Sequence, residues 1–320
     1  MVRSMRELTK LINYLNNFLK MNEVKEVLKR TCGLSVDDIN DLVTNMISCK
    51  NILPMINIAT RIYRCLDELT SLDEIRRLRI KPPPTRVVNE LKRFILDVLI
   101  SRSRNLTYLG PLINFIYESL IDSLKYYGYK ILIYECRSKS RIMIGRPNID
   151  LYLIFETGTK LHHVFGIPYL PASSIKGAFR SYVNLKGLKC KVSAIGLLEV
   201  SPEEFLFGTK EFKGSIVFFD AFPRVENKCL LEPEVTTPIY ADGTETPRLR
   251  EHVAQPVPVI YPVIARNVVF KFIIGIGPNV SKECQKALFD WFNEVLNVGI
   301  GAKTTLGYGL FSVYKREIGD

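Results

Sequence analysis

The stretch Gly299-Ile300-Gly301-Ala302-Lys303-Thr304-Thr305-Leu306-Gly307-Tyr308-Gly309 decides the fold. It follows a predicted amphipathic helix at 281–297 and enters a predicted final strand at 306–314. Its glycines allow the backbone to approach a phosphate without an intervening Cβ, and its lysine and two threonine hydroxyls suit the same ligand. We therefore predict an anion-contacting loop. The alternative is a tight helix-to-strand turn that needs left-handed residues.

Two nucleotide-binding motifs are excluded for this loop. A P-loop requires glycine directly before its lysine, whereas Ala302 precedes Lys303 here. The dinucleotide fingerprint requires a third glycine where Thr304 stands, and its loop opens a helix instead of following one. What remains is a glycine loop that brings backbone N–H groups, a lysine and two hydroxyls close to an anion.

A second candidate anion site lies at residues 166–180, GIPYLPASSIKGAFR. Ser173 or Ser174 is predicted to be the N-cap of a short amphipathic helix. Lys176 and Arg180, four residues apart, share the face opposite its apolar stripe. A helix N-terminus with two nearby cations favours an anion, although a solvated basic face gives the same pattern. A ferredoxin-like sheet would bring this helix and the glycine loop onto one surface.

The composition indicates an anionic partner. The 320 residues carry a formal net charge of +11, which favours nucleic acid first and an acidic protein or membrane surface second. A solvated basic surface is the alternative explanation of the same charge. Seven cysteines without a CxxC pair predict reduced thiols.

His162 and His163 are adjacent, and neighbours on a strand face opposite ways, so no metal site and no cofactor are expected. Since no apolar run approaches about 18 residues and no signal-peptide core is present, we expect a cytoplasmic protein without a membrane partner.

The order of predicted elements indicates an α+β fold. Residues 1–130 form a mostly helical N-terminal region, and residues 131–320 form a ferredoxin-like (RRM-like) domain with a long inserted segment at 224–256. The predicted strands of this domain are 150–157, 214–222, 257–264, 267–276 and 306–314, and its predicted helices are 173–185 and 281–297.

Three motifs resemble the RAMP superfamily of CRISPR proteins: GIPYLPASSIKGAFRSYV, LFG…GSIVFFDAFP and GIGAKTTLGYGLF. The segment PVPVIYPVIARNVVFKFIIG looks most like the family of sixth subunits of the type III-B (Cmr) effector. The resemblance covers about residues 151–314. It departs from the family at Pro238-Ile239-Tyr240, where a histidine often follows the proline.

The resemblance implies a RAMP fold whose inserted segment forms a thumb. It implies a non-catalytic subunit that binds guide RNA phosphates near the 3′ end, with target RNA and other Cmr subunits as further partners in antiviral defence. The RNA-binding residues implied are Ser174, Lys176, Arg180, Lys210, Lys213, Arg248, Arg250, Gly299, Gly301, Lys303, Thr304 and Thr305.

Two other functions are compatible with the sequence. One is a RAMP-type metal-independent endoribonuclease that processes CRISPR RNA, with His162 or His163 as the base. The other is a protein-only scaffold whose basic charge serves solubility. Asp220, within a Phe-rich strand motif, is expected to be structural and not catalytic.

Overall fold

The computed structural model describes residues 22–72, 84–145, 149–187, 201–237 and 258–319, with the single positions 13 and 19. Arg248 and Arg250 lie outside these residues. The helices are α1 (Asn22–Cys32), α2 (Val36–Ser48), α3 (Ile52–Ser71), α4 (Pro84–Arg102), α5 (Gly110–Tyr126), α6 (Ile149–Phe155), α7 (Ala172–Lys186), α8 (Pro202–Phe207) and α9 (Lys282–Val298). The strands are β1 (Lys130–Ser138), β2 (Ile216–Phe218), β3 (Phe222–Pro223), β4 (Leu231–Thr236), β5 (Val259–Ile264), β6 (Val269–Ile276) and β7 (Phe311–Gly319).

The chain forms two compact units, and each takes its residues from three separate segments. The first unit contains residues 1–103, 147–158 and 231–263, and the second contains 104–146, 159–230 and 264–320. In the parts of the chain that the structure describes, no helix combines the length and the hydropathy needed to cross a bilayer.

The first unit is mainly helical. Helix α2 begins with a capping box, in which the Ser35 hydroxyl accepts from the Asp38 amide while the Asp38 carboxylate accepts from the Ser35 amide. Helix α3 packs against α1, α2, α4 and α6, and Ile62, Leu66 and Leu69 are fully buried there. These contacts confirm the prediction of a helical N-terminal region.

Helix α6 corrects one sequence prediction. Residues 150–157 were expected to form the first strand, but residues 149–155 are helical. Leu151, Ile154 and Phe155 are buried at helical spacing in a helix that contacts α3. A short apolar run does not distinguish strand from helix by itself, and the apolar face of α3 favours the helix here.

The second unit contains an antiparallel sheet in the order β2-β6-β1-β7, with β3 also paired to β6. Its first strand is β1, at 130–138, in place of the predicted 150–157. The order of strands and of the helices α7 and α9 along the chain is β-α-β-β-α-β. This arrangement confirms the predicted ferredoxin-like fold, with β4 and β5 between β3 and β6.

The core of the second unit lies between the sheet and the helices α7 and α9. The ring of Phe292 in α9 lies 4.4 Å from that of Tyr134 in β1 and 5.6 Å from that of Phe272 in β6. Helix α5 covers the other face. It approaches so closely that a Cβ at Gly275 would lie 2.7 Å from Leu124 Cδ2, so a larger residue at this position of β6 would require the Leu124 side chain to shift.

The cysteines differ from the sequence expectation. Cys32 and Cys65 form a disulfide between α1 and α3, and Cys284 is also disulfide-bonded. Cys49, Cys136 and Cys229 are free. The prediction of reduced thiols throughout was therefore wrong. A separation of 33 residues carries no sequence motif, and only the packing of α1 on α3 brings this pair together.

Candidate functional site

The two predicted anion-contacting features border one cavity of about 550 Å³. We call it the α7–loop groove, because α7, the end of α9 and the loop after α9 line it. Most of the residues that α7 and the loop contribute are small, although α7 also adds the larger Tyr182 and Leu185. They are Ser174, Gly177, Ala178, Ser181, Tyr182, Leu185, Gly299, Gly301, Ala302 and Thr304. Helix and loop therefore lie on the same side of the sheet, as a ferredoxin-like fold predicts.

Lys176 and Arg180 are not among the residues that line the groove. At 3.6 residues per turn they lie about 200° and 240° around the helix axis from Ser174. The Arg180 guanidinium Nε instead donates to Glu203 in the first turn of α8, at 2.6 Å. The face of α7 that borders the groove thus carries hydroxyls, a glycine and apolar side chains but no cation. Contact between Lys176 or Arg180 and a phosphate stays a prediction.

The N-terminus of α7 is capped from a distant part of the chain. The carboxylate of Asp220, between β2 and β3, accepts a hydrogen bond from the Ala172 amide at 2.7 Å. Pro171 occupies the N-cap position, so the prediction that Ser173 or Ser174 caps the helix was wrong. The predicted structural role of Asp220 is confirmed. Because a carboxylate already complements the helix dipole there, this helix end is a poorer anion site than the sequence suggests.

The glycine loop is held by its own backbone hydrogen bonds. The Ile300 amide donates to Gly309 O at 2.9 Å, the Ala302 amide to Met143 O at 2.7 Å, and the Gly309 amide to Arg141 O at 2.8 Å. These three amides are therefore not available to an anion. The tight-turn interpretation accounts for part of the glycine pattern, since the close approach of these backbones leaves little room for a Cβ.

None of the predicted RNA-binding cations that the structure describes lines the groove. Lys303 is half-buried, with φ at 58°, and precedes the 3₁₀ turn Thr304–Leu306. Lys210 and Lys213 are exposed in the turn after α8, and the Lys213 ammonium lies 5.9 Å from the centroid of the Tyr129 ring. No lysine or arginine is among the described residues that line the groove.

The histidine pair differs from its sequence prediction. His162 and His163 lie in a turn, and their rings stack at 4.7 Å instead of facing opposite ways. His162 Nδ1 accepts from the amides of Val164 and Phe165, each at 3.3 Å. Burial, followed by the charge of His163, lowers the pKa of His162. The neutral imidazole therefore fixes the turn.

An aromatic cluster around His162 was missed at the sequence level. The imidazole stacks on Phe165 at 4.4 Å and contacts the edges of Tyr169 and Phe222, each at 5.3 Å. The density of aromatic residues at 162–169 was the available signal. Within the described ranges, no group of three or more histidine, cysteine, aspartate or glutamate side chains is placed to hold a metal ion.

Comparison with known proteins identifies the family. The model of the RAMP superfamily matches residues 154–312. The Cmr6 subunit of the CRISPR Cmr system of Saccharolobus solfataricus is 32% identical over 227 residues, which cover 71% of this chain and 72% of that protein. This chain belongs to the Cmr6 family of RAMP proteins. The Cmr6 subunit of Pyrococcus furiosus is 24% identical, with 56% of this chain and 66% of that protein covered.

A solved structure extends the similarity of this Cmr6 family member beyond the matched motifs. A chain in the cryo-EM structure of the type III-B Cmr-beta complex bound to cognate target RNA is 26% identical. The alignment covers 96% of this chain and 98% of that chain, with a TM-score of 0.65. The similarity thus includes the helical N-terminal region, which the sequence motifs left unmatched.

Proposed function

We propose that this chain is a non-catalytic subunit of a type III-B (Cmr) RNA-guided effector complex. In this proposal it holds the guide RNA by its phosphates near the 3′ end and contacts target RNA and other Cmr subunits. The observation that carries the proposal is the fold similarity, over 96% of this chain, to a chain of a Cmr-beta complex bound to its target RNA. The net charge of +11 supports an RNA partner.

The α7–loop groove is the proposed phosphate-contacting surface. The hydroxyls of Ser174, Ser181 and Thr304 supply neutral hydrogen-bond donors, and glycines on both walls allow a sugar-phosphate backbone to come close. Lys176 and Lys303 supply charge from outside the lining. Such contacts carry no base preference, as a subunit that holds guides of any sequence requires.

The proposal is tested at Gly177. A Cβ at this position would meet no atom within 4 Å, so a side chain fits without disturbing α7. We expect Gly177→Glu to weaken guide RNA binding at least tenfold, because its carboxylate would face the phosphates. Fluorescence anisotropy with labelled guide RNA at fixed salt measures the affinity.

The matched control is Gly177→Ala, which raises helix propensity without adding charge. We expect its affinity to equal that of the wild type. Equal affinity of the Gly177→Glu variant and the wild type would contradict the placement of RNA in the groove. Arg248 and Arg250 of the inserted segment are proposed as further phosphate contacts.

The absence of catalysis is part of the proposal. His162 uses its Nδ1 to hold a turn, and its lowered pKa suits a neutral structural imidazole. We expect no cleavage when the purified protein is incubated with CRISPR repeat RNA. Single-site cleavage that disappears in a His163→Ala variant would establish the endoribonuclease instead.

A further inference from the structure

A second cavity, of about 420 Å³, lies in the first unit between α1 and α3. We call it the disulfide groove, because Cys32 and Cys65 line it. Asn57, Arg61, Arg64 and Glu68 also contribute to its wall. The groove belongs to a different unit from the α7–loop groove and is independent of the proposed RNA contact.

The two cysteines of the disulfide differ in their exposure to solvent. Cys32 is the last residue of α1 and is partly exposed, whereas Cys65 lies within α3 and only 6% of it is accessible. An incoming thiolate therefore reaches Cys32 Sγ more readily, with Cys65 Sγ as the leaving group. Exposed disulfides exchange with thiols, whereas buried ones resist reduction.

The charges around the disulfide favour an anion. Among the lining residues, Arg61 and Arg64 are exposed and Glu68 lies 3.9 Å from Arg64, with both of those side chains more than half exposed. Asp38 interacts electrostatically with Arg61 but does not line the groove. Arg61 precedes Cys65 by one helical turn on the same face of α3. Its guanidinium can stabilise the thiolate that leaves when the disulfide opens, which burial alone would disfavour.

We propose that Cys32–Cys65 is a thiol-exchange site that accepts an anionic low-molecular-weight thiol. The thiolate sulfur attacks Cys32 Sγ and forms a mixed disulfide, and the electron pair of the broken S–S bond goes to Cys65 Sγ. A second thiolate then attacks the sulfur of the bound thiol. That step releases the small-molecule disulfide and the Cys32 thiolate, so the thiol is the only co-reactant.

The test compares three thiols on the oxidised full-length protein: anionic 2-mercaptoethanesulfonate, neutral 2-mercaptoethanol and cationic cysteamine. Intact mass and peptide mapping after alkylation follow the adduct on Cys32 and the freed Cys65. Expressed per thiolate, the rate should fall in that order, by about threefold for each unit of charge, as expected for one charge at about 6 Å in water. Equal rates for the three thiols, or no adduct under conditions that reduce the urea-unfolded protein, would overturn the proposal.

Arginine variants identify the source of the preference. Arg61→Gln and Arg64→Gln should each reduce the advantage of the anionic thiol by about threefold. Arg93→Gln is the matched control, since Arg93 lies on α4, pairs with Glu90 and does not line the groove. An anionic preference that survives the double variant Arg61→Gln/Arg64→Gln would refute the role of these arginines. Circular dichroism checks that each variant is folded.

Discussion

Gly307 and Gly309 of the loop differ in the space available to a side chain. Both have positive φ, at 85° and 73°, but a Cβ at Gly309 would lie 2.2 Å from Ile300 O, whereas one at Gly307 meets nothing within 4 Å. Gly307→Ala should therefore cost about 1 kcal/mol, from backbone strain alone. Gly309→Ala should destabilise the fold by about 3 kcal/mol or more, because the backbone at residue 309 would have to move away from the backbone of Ile300. Urea unfolding measures both, and equal losses would contradict the packing explanation.

His162 should make stability depend on pH. Its pKa is lowered in the folded protein by burial and then by His163, so the unfolded chain binds the proton more readily. The free energy of unfolding should therefore fall as the pH drops below about 6.5, the ordinary pKa of histidine. Urea unfolding between pH 7.5 and 5.5 should show a larger loss for the wild type than for His162→Gln. Parallel pH profiles would show that the imidazole has no such effect.

At the scale of elements, the cap of α7 connects the helix to the sheet. Asp220→Ala removes the acceptor of the Ala172 amide and the charge beside the helix N-terminus. We expect a loss of about 1–2 kcal/mol, and about half as much for Asp220→Asn, which keeps a hydrogen-bond acceptor but lacks the charge. Thermal unfolding of the two variants measures the difference. If Asp220→Asn lost as much stability as Asp220→Ala, the whole effect would be due to the charge of the carboxylate.

Local patterns in the sequence predicted most elements of the second unit. Helices α7 and α9 have regular apolar stripes and β6 has a long β-rich run, so these elements followed from the chain itself. The first strand of the sheet was misplaced at 150–157, and β5, predicted beside β6, pairs with β4 outside that sheet. Features that depend on residues far apart in sequence were not predictable. The carboxylate of Asp220 lies 48 positions from the amide it caps, and two serines beside that helix start offered a plausible local alternative.

The candidate site was predicted in part. The fold class predicted that α7 and the glycine loop share a surface. It did not predict which face of α7 lines the groove. Lys176 and Arg180 suggested a basic face, whereas Ser174, Gly177 and Ser181 border the cavity. The position of the loop beside α7 decides this, and it is a property of tertiary packing. The short run at 149–155 was ambiguous for the same reason.

At the scale of the whole molecule, the salt dependence of RNA binding counts the phosphate contacts. If Lys176 and Lys303 each contact a phosphate, the Lys176→Ala/Lys303→Ala variant should reduce the slope of log affinity against log salt by about 1.4, from about 0.7 per contact on a single strand. The control is Lys282→Ala/Lys286→Ala, which removes two exposed lysines of α9. Titrations at several salt concentrations measure the slopes, and the same slope in both variants would contradict the proposed contacts.

The interleaved units have a consequence for biosynthesis. The first unit begins at residue 1 but takes its last segment from 231–263, so its folding cannot be completed until that segment has left the ribosome. Helix α4 packs against β4, so the apolar side chains of α4 remain without this partner until residues 231–236 have been synthesised. The nascent chain should therefore need chaperone protection for most of its synthesis, and no single cut in the gene yields two fragments that each contain a whole unit.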